Sequence, residues 1–160
     1  MIRPVSLADA PRIAEIYNRF VLETTVSFEE EPLTVSQMEE RIRAFSTNGS
    51  YSVYEVDGRV EGFCYAHPWK ERPSYRHTLE VTIYLTEACQ GKGVGTELMH
   101  RLIDHCRTIP AKALIACITA ENEASVKFHA KMGFEKVSHF RAVGFKQGRW
   151  LDVVDMELLL

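Results

Sequence analysis

The stretch Gln90-Gly91-Lys92-Gly93-Val94-Gly95 sets three glycines within five residues, and the chemistry that spacing permits is anion binding. With no side chains in the way, a polyanion can approach main-chain N–H groups closely. A strand-like run, residues 79–85, leads into the turn, and a helical pattern beginning near Gly93 leads out of it. A helix N-terminus favours negative charge. The junction therefore reads as a pyrophosphate cradle built from the amides of Gly91, Lys92, Gly93, Val94, Gly95 and Thr96, with Gln90 at its entrance. Lys92 adds a screened positive charge. Lys92 is not followed by Ser or Thr, which excludes a P-loop, and G-x-G-x-G is not the G-x-G-x-x-G of a dinucleotide fingerprint. Glycines also join strands to helices with no ligand present, so neighbouring residues must decide.

The strand before the turn carries the second set. His77, Leu79, Val81, Ile83 and Leu85 alternate with Thr78, Glu80, Thr82, Tyr84 and Thr86, which puts the apolar set on one face and the polar set on the other. Polar groups are seldom buried without partners, so the second face lines a cavity or pairs across the sheet. Glu80, mid-strand and close to the cradle, can take a proton from an amine or pair with a cation such as Arg76. Tyr84 projects the same way, as a packing ring or a proton donor. Asn122 caps a helix, and His129 falls in the middle of that helix.

The positioning elements follow from periodicity. Ser6 to Asp9 begins a helix running to about Val21. Thr34 and Gln37 cap a second helix with the stripe Met38, Ile42 and Phe45, ended by Asn48-Gly49. Residues 23–33 read as a loop that forms a cleft wall or is merely solvated. Strands at 51–56 and 60–65 join through Asp57-Gly58. Residues 66–76 are too polar and irregular for a strand and form a candidate cleft edge. A helix follows the glycine turn and stops before Pro110. Residues 113–118 make an interior strand covered on both faces. The Asn122 helix closes at Gly133, and strands at 134–140 and 150–158 finish the chain. The order is β-α-α-β-β-β-α-β-α-β-β, an α/β mixed sheet with helices on both faces in one domain, residues 1–160.

Composition sets limits. The chain has 160 residues, 46% hydrophobic and 26% charged, with net charge -3, an ordinary globular profile that argues against nucleic acid. No apolar run is long enough to span a bilayer and the N-terminus lacks a signal-peptide core, so a cytoplasmic protein with no membrane partner is expected. Cys64, Cys89, Cys106 and Cys117 form no C-x-x-C pair. They read as small buried hydrophobes rather than disulfides, zinc ligands or nucleophiles, and no metal is expected.

The glycine turn and the element order resemble the GNAT superfamily of acyl-CoA-dependent N-acetyltransferases, whose turn is Gln/Arg-x-x-Gly-x-Gly/Ala. Asn122, Ser125 and Phe128 before Gly133-Phe134 are similar to its second CoA-contacting helix. Four stretches look like the phosphinothricin N-acetyltransferase branch: Thr25-Val26-Ser27-Phe28 with Glu31-Pro32, His67-Pro68-Trp69-Lys70, Glu80 to Tyr84, and Gly144 to Trp150 with Asp152. The resemblance implies acetyl-CoA as cosubstrate and direct transfer, in a ternary complex, to the α-amine of a small amino-acid-like acceptor. It implies Glu80 as general base, His129 as a possible participant, and an oxyanion donor among the main chain of Ile83, Tyr84 and Leu85. Asn122 would meet the pantetheine arm. Acceptor contacts fall to Phe28, Trp69, Arg72, Pro73, Ser74, Tyr75, Arg76 and Lys146; Lys70, Arg72, Arg76, Lys146 and Arg149 read as anion clamps or as plain surface charges, and a homodimer is carried over from the branch. Two alternatives stand beside this: acetylation of a polyamine or protein N-terminus, favoured by Glu29 to Glu31, and an acetyl-CoA sensor without turnover.

Overall fold

The computed structural model describes residues 1–160. Its elements are β1 (Ile2–Pro4), α1 (Ala10–Glu23), α2 (Val35–Phe45), β2 (Tyr51–Val56), β3 (Arg59–Pro68), β4 (Thr78–Leu85), α3 (Val94–Cys106), β5 (Ala113–Thr119), α4 (Glu123–Lys131), β6 (Glu135–Lys146) and β7 (Arg149–Leu159). Local chemistry explains the boundaries. Thr34 Oγ1 accepts from Gln37 N–H at 3.1 Å while Gln37 Oε1 accepts from Thr34 N–H at 2.8 Å, a reciprocal cap that starts α2. Asp57 (φ +49°) and Gly58 (φ +77°) turn β2 into β3, and Gln147 (φ +54°) and Gly148 (φ +73°) turn β6 into β7. Two consecutive positive φ values match the twist of a hairpin.

The seven strands form one sheet in the order β1-β2-β3-β4-β5-β7-β6. Helices α1 and α2 cover one face, where Ile13, Tyr17, Met38 and Ile42 pack on Val53, Phe63 and Tyr65. Helix α3 covers the other, with Leu98 and Leu102 against Leu79, Val81, Leu114 and Ala116. The apolar set of β4 thus faces α3, and the polar set faces α1.

Strands β4 and β5 are the parallel neighbours. Their register comprises Thr78 with Ala113, Leu79 with Leu114 and Glu80 with Ile115, and it ends there. Beyond Glu80, β4 stays with β3 as far as Leu85 and β5 stays with β7 as far as Thr119. The two central strands therefore splay and open the sheet.

Three expectations are corrected. Strand β3 continues to Pro68, past the expected end at Tyr65, because pairing with β4 carries it through His67 and Pro68. Strand β6 continues to Lys146 through two register shifts and a positive φ at Ala142 (+51°). Asp152 stabilises that bulge by accepting from Ala142 N–H at 2.9 Å and pairing with His139 Nε2 at 2.7 Å, a side-chain effect that strict alternation does not register. Finally, Cys64, Cys89 and Cys106 are buried but Cys117 is exposed. The splay uncovers one face of β5, and Cys117 opens onto the resulting space.

Candidate active site

The main chain of β4 decides what the opened gap presents. In an antiparallel pair, backbone groups alternate between the partner and the opposite side. Thr86 N–H donates to Glu61 O at 2.9 Å and Thr78 O accepts from Trp69 N–H at 3.3 Å, so even-numbered residues of β4 bond towards β3. His77 O accepts from Lys112 N–H at 2.7 Å, which sets odd-numbered residues towards β5. The N–H groups of Ile83 and Leu85 consequently face the side where pairing has ended, whereas that of Tyr84 is held by β3. A main-chain donor in the gap is thus available from Ile83 or Leu85, not from Tyr84.

The splay is filled by a cavity of about 500 Å³. Tyr17, Phe28 and Glu29 wall it on the α1 side, Tyr65 and His67 come from β3, and Glu80 to Tyr84 from β4. Cys117 and Thr119 come from β5, and Asn122, Ser125 and His129 close the end at α4. The cavity therefore runs from the α1 face between the strands to the start of α4.

Past the end of β4 lies the glycine turn. Gly91 (φ +70°) and Gly93 (φ +81°) adopt the left-handed conformation that glycine accommodates. The first helical bond is Glu97 N–H to Gly93 O at 3.0 Å, and none of the six N–H groups from Gly91 to Thr96 donates to a protein acceptor. Six consecutive unpaired donors at a helix N-terminus suit a diphosphate. Gly95 has another purpose: a Cβ there would stand 3.2 Å from Leu85 Cδ1 and 3.5 Å from Phe128 Cε2, so its bareness lets α3 seat against β4 and α4. These residues do not line the cavity. They stand beyond its end, while Leu85 and Gln90 line an adjoining cleft with Phe20 of α1 and Thr24 just past its end.

Titrating groups in the cavity are shifted in opposite directions. Burial raises the pKa of Glu80, the Asp155 carboxylate raises it further, and a hydrogen bond from Cys117 opposes both. Burial lowers His67 below its ordinary value. The Cys117 thiol is pushed far up by burial and by the Glu80 and Asp155 carboxylates, so it stays protonated and is no nucleophile. His129 is buried, its Nδ1 lies 2.9 Å from Ser125 O, and burial lowers its pKa. That is a neutral ring held by its own helix. Tyr84 packs among Tyr17, Phe20 and Phe63, and burial keeps its phenol neutral.

Of the residues singled out from the sequence, Phe28, Glu80, Ile83, Tyr84, Asn122 and His129 meet in the cavity. Asn122 also caps α4, accepting from Ser125 N–H at 3.2 Å. Trp69, Arg72, Pro73, Ser74, Tyr75 and Arg76 do not line it. They form a separate turn in which the Trp69 and Tyr75 rings meet edge-on, with Lys70 over Trp69. Lys146 is buried behind the wall, where its ammonium donates to Val21 O at 2.7 Å and Ser27 O at 2.6 Å. Arg149 is paired with Glu121 through two hydrogen bonds, 2.6 and 2.7 Å.

The loop between α1 and α2 is fastened rather than loose. Lys146 holds its start, Thr119 Oγ1 donates to Thr25 O at 2.6 Å, and Thr25 in turn reaches Glu121. Glu29 is gripped by Arg41 and Tyr17, so its charge is spent within the protein. The Phe28 ring lies on Gly144, where a Cβ would stand 2.7 Å from Phe28 Cζ. Sequence reasoning put His67 only in a general cleft edge, with no role of its own, and missed Tyr17 and Cys117 as cavity residues. His67 could have been found, because it sits directly opposite Glu80 in the β3–β4 register.

A gap between parallel strands, unpaired amides at a helix start and a half-buried carboxylate in the gap wall define a transferase cleft for an acyl-CoA thioester. The acetyltransferase (GNAT) domain family matches residues 2–154, and the chain belongs to that family. It is an acetyltransferase, and acetyl-CoA is its cosubstrate. The chain is 39% identical over 158 residues to a phosphinothricin N-acetyltransferase of Alcaligenes faecalis, covering 98% of this chain and 80% of the relative. It is 34% identical over 160 residues to an L-methionine sulfoximine/L-methionine sulfone acetyltransferase of Salmonella typhimurium, covering 99% of this chain and 94% of the relative. Among solved structures, a GNAT superfamily phosphinothricin acetyltransferase from Sinorhizobium meliloti in complex with acetyl-CoA superposes with a TM-score of 0.95 at 34% identity. That match covers 100% of this chain and 88% of the other.

Proposed function

We propose that this single-domain enzyme acetylates the α-amine of a small amino-acid-like acceptor of the phosphinothricin or methionine sulfoximine type, by direct attack in a ternary complex. The observation that carries the reading is Glu80: a half-buried carboxylate in the cavity wall, on the strand whose free amides face the gap. Relatives of 39% and 34% identity named for those acceptors support the substrate class.

Acetyl-CoA supplies an acetyl group activated as a thioester. Its diphosphate suits the amides from Gly91 to Thr96, and its pantetheine arm suits the gap between β4 and β5, with Asn122 at the far wall. An alkylamine is mostly protonated at neutral pH, and Glu80 takes that proton as the amine enters. Negative charge developing on the carbonyl oxygen is met by the N–H of Ile83 or Leu85. The protonated Cys117 favours direct attack over an acyl-enzyme.

Phe28, set by Gly144 and by the fastened loop, forms the acceptor wall. Lys146 acts by holding that wall, and the turn from Trp69 to Arg76 supplies cations near the entrance. On the edge hairpin, Val137 (54% exposed), Val143 (57%), Phe145 (55%) and Trp150 (67%) form an apolar surface that supports a homodimer. Free thiols without a disulfide accord with a cytoplasmic setting.

The test is CoA-thiol release over a panel of amines: L-phosphinothricin, methionine sulfoximine, ordinary L-amino acids, a polyamine and an N-terminal peptide. The reading expects the first two to give the highest kcat/KM. Preference for the polyamine or peptide would move the acceptor class, and no release with any amine would leave a binding protein.

A further inference from the structure

We propose that His67 relays to solvent the proton that Glu80 takes from the acceptor amine. The proposal rests on Glu80 being the base, and it adds a second proton carrier to that site.

The geometry fixes the tautomer. His67 Nδ1 lies 3.0 Å from Pro68 O, and a carbonyl oxygen only accepts, so Nδ1 carries the hydrogen and the neutral ring keeps a lone pair on Nε2. Nε2 is the atom directed at Glu80, 4.0 Å from Oε1. The two residues are direct partners across β3 and β4, so their separation is set by the sheet. The ring is held by stacking on Phe45 at 4.9 Å between centroids. A rotation of the Glu80 carboxylate closes the remaining gap to a hydrogen bond.

The proton inventory balances. The ammonium N–H bond breaks as an O–H bond forms on Glu80. That O–H bond then breaks as an N–H bond forms at His67 Nε2, giving an imidazolium whose Nδ1–H still donates to Pro68 O. The His67 side chain is 22% exposed, so Nε2 passes the proton to water and both groups return to their starting states.

The surroundings keep the ring neutral and receptive. Burial lowers its pKa first, the Pro68 carbonyl opposes this, and the Arg41 cation on α2 lowers it further. Glu29, from the loop, is neutralised by Arg41. Tyr17 on α1, Tyr65 on β3 and Cys117 on β5 are held as neutral acids by burial, which leaves Glu80 as the anion beside it, with the Asp155 carboxylate of β7 acting on Glu80. With Glu80 shifted up and His67 shifted down, the two affinities for a proton approach one another, as a relay needs.

The experiment is a double-mutant cycle of H67F and E80Q with pH profiles of kcat/KM for the acceptor. Phe preserves the stack on Phe45 and removes the lone pair. H67F is expected to lower kcat at least tenfold, a smaller loss than the roughly 10²–10⁴-fold of a direct base, with the KM for acetyl-CoA unchanged. On the acid side, log kcat/KM of the wild type falls with a slope steeper than one, since both groups must be deprotonated, and in H67F the slope falls to one. E80Q/H67F is expected to be no slower than E80Q alone. If E80Q loses turnover while H67F keeps wild-type kcat and slope, or if the two losses multiply, the relay is wrong and Glu80 stands. If E80Q keeps full turnover, the base assignment fails and the relay with it. Should H67F not fold, as judged by circular dichroism, H67Q serves the same cycle with the same expected outcomes.

Discussion

Replacing Lys146 by methionine separates a tether from an anion clamp. The ammonium makes two hydrogen bonds, to Val21 O at 2.7 Å and Ser27 O at 2.6 Å, and a bond from a charged donor contributes about 1.5–3 kcal/mol. The gross loss is thus about 3–6 kcal/mol. Methionine keeps most of the apolar stem, and removing a buried ammonium relieves a desolvation penalty that already lowers the Lys146 pKa. A net loss of about 2–3 kcal/mol remains, since two carbonyls are left unpaired. For a chain of this size each kcal/mol moves Tm by roughly 2–4 °C, so the fall should be about 4–12 °C. Thermal unfolding by calorimetry measures it, and initial rates report the consequence for the site. With the Phe28 wall released, the acceptor KM should rise about tenfold, equivalent to 1.4 kcal/mol. The KM for acetyl-CoA should not move, because the glycine turn does not line the cavity that Phe28 walls. An unchanged Tm with a raised acceptor KM would show that Lys146 touches the acceptor and would refute the tether.

Three more outcomes follow from other parts of the site. Glu80→Gln should keep acetyl-CoA binding but lower kcat by about 10²-fold or more. The same change should stabilise the fold at neutral pH: a carboxyl whose folded pKa is raised contributes stability below its ordinary value, near 4.5, and loses it as pH rises through the raised value. Tm of Glu80→Gln should therefore exceed wild type at pH 7 and converge with it below pH 4.5, and a lower Tm at pH 7 would contradict the burial argument. Gly93→Val forces a β-branched residue to φ +81° and should raise the KM for acetyl-CoA strongly; normal binding by calorimetry would count against the cradle. Trp150→Glu, at 67% exposure on the edge hairpin, should convert a dimer to monomer in sedimentation velocity, whereas a wild-type monomer would remove the dimer.

Much of this was legible in the residues. Alternation along residues 77–86 sorted the two faces of β4 correctly, because one face packs on α3 and the other bounds a cavity. The turn residues Asp57-Gly58 and the cap Thr34/Gln37 behaved as their chemistry dictates. What could not be read was the consequence of long-range pairing. The splay after Glu80 depends on β4 and β5 being claimed by different neighbours, and nothing in residues 113–118 announces it. For that reason Cys117 reads as a core residue in the sequence and is exposed in the fold. Lys146 and Arg149 read as anion clamps or surface charges in the sequence, yet their partners, Val21, Ser27 and Glu121, are far away in the chain. A charge has no visible partner in a sequence until the fold supplies one.

A crystal structure with acetyl-CoA bound tests the central claim most directly. The account predicts the diphosphate within hydrogen-bonding distance of amides between Gly91 and Thr96, and the thioester in the gap beside Ile83 with Glu80 near the sulfur-bearing end. A diphosphate bound away from that turn, or a thioester lying outside the β4–β5 gap, would contradict it.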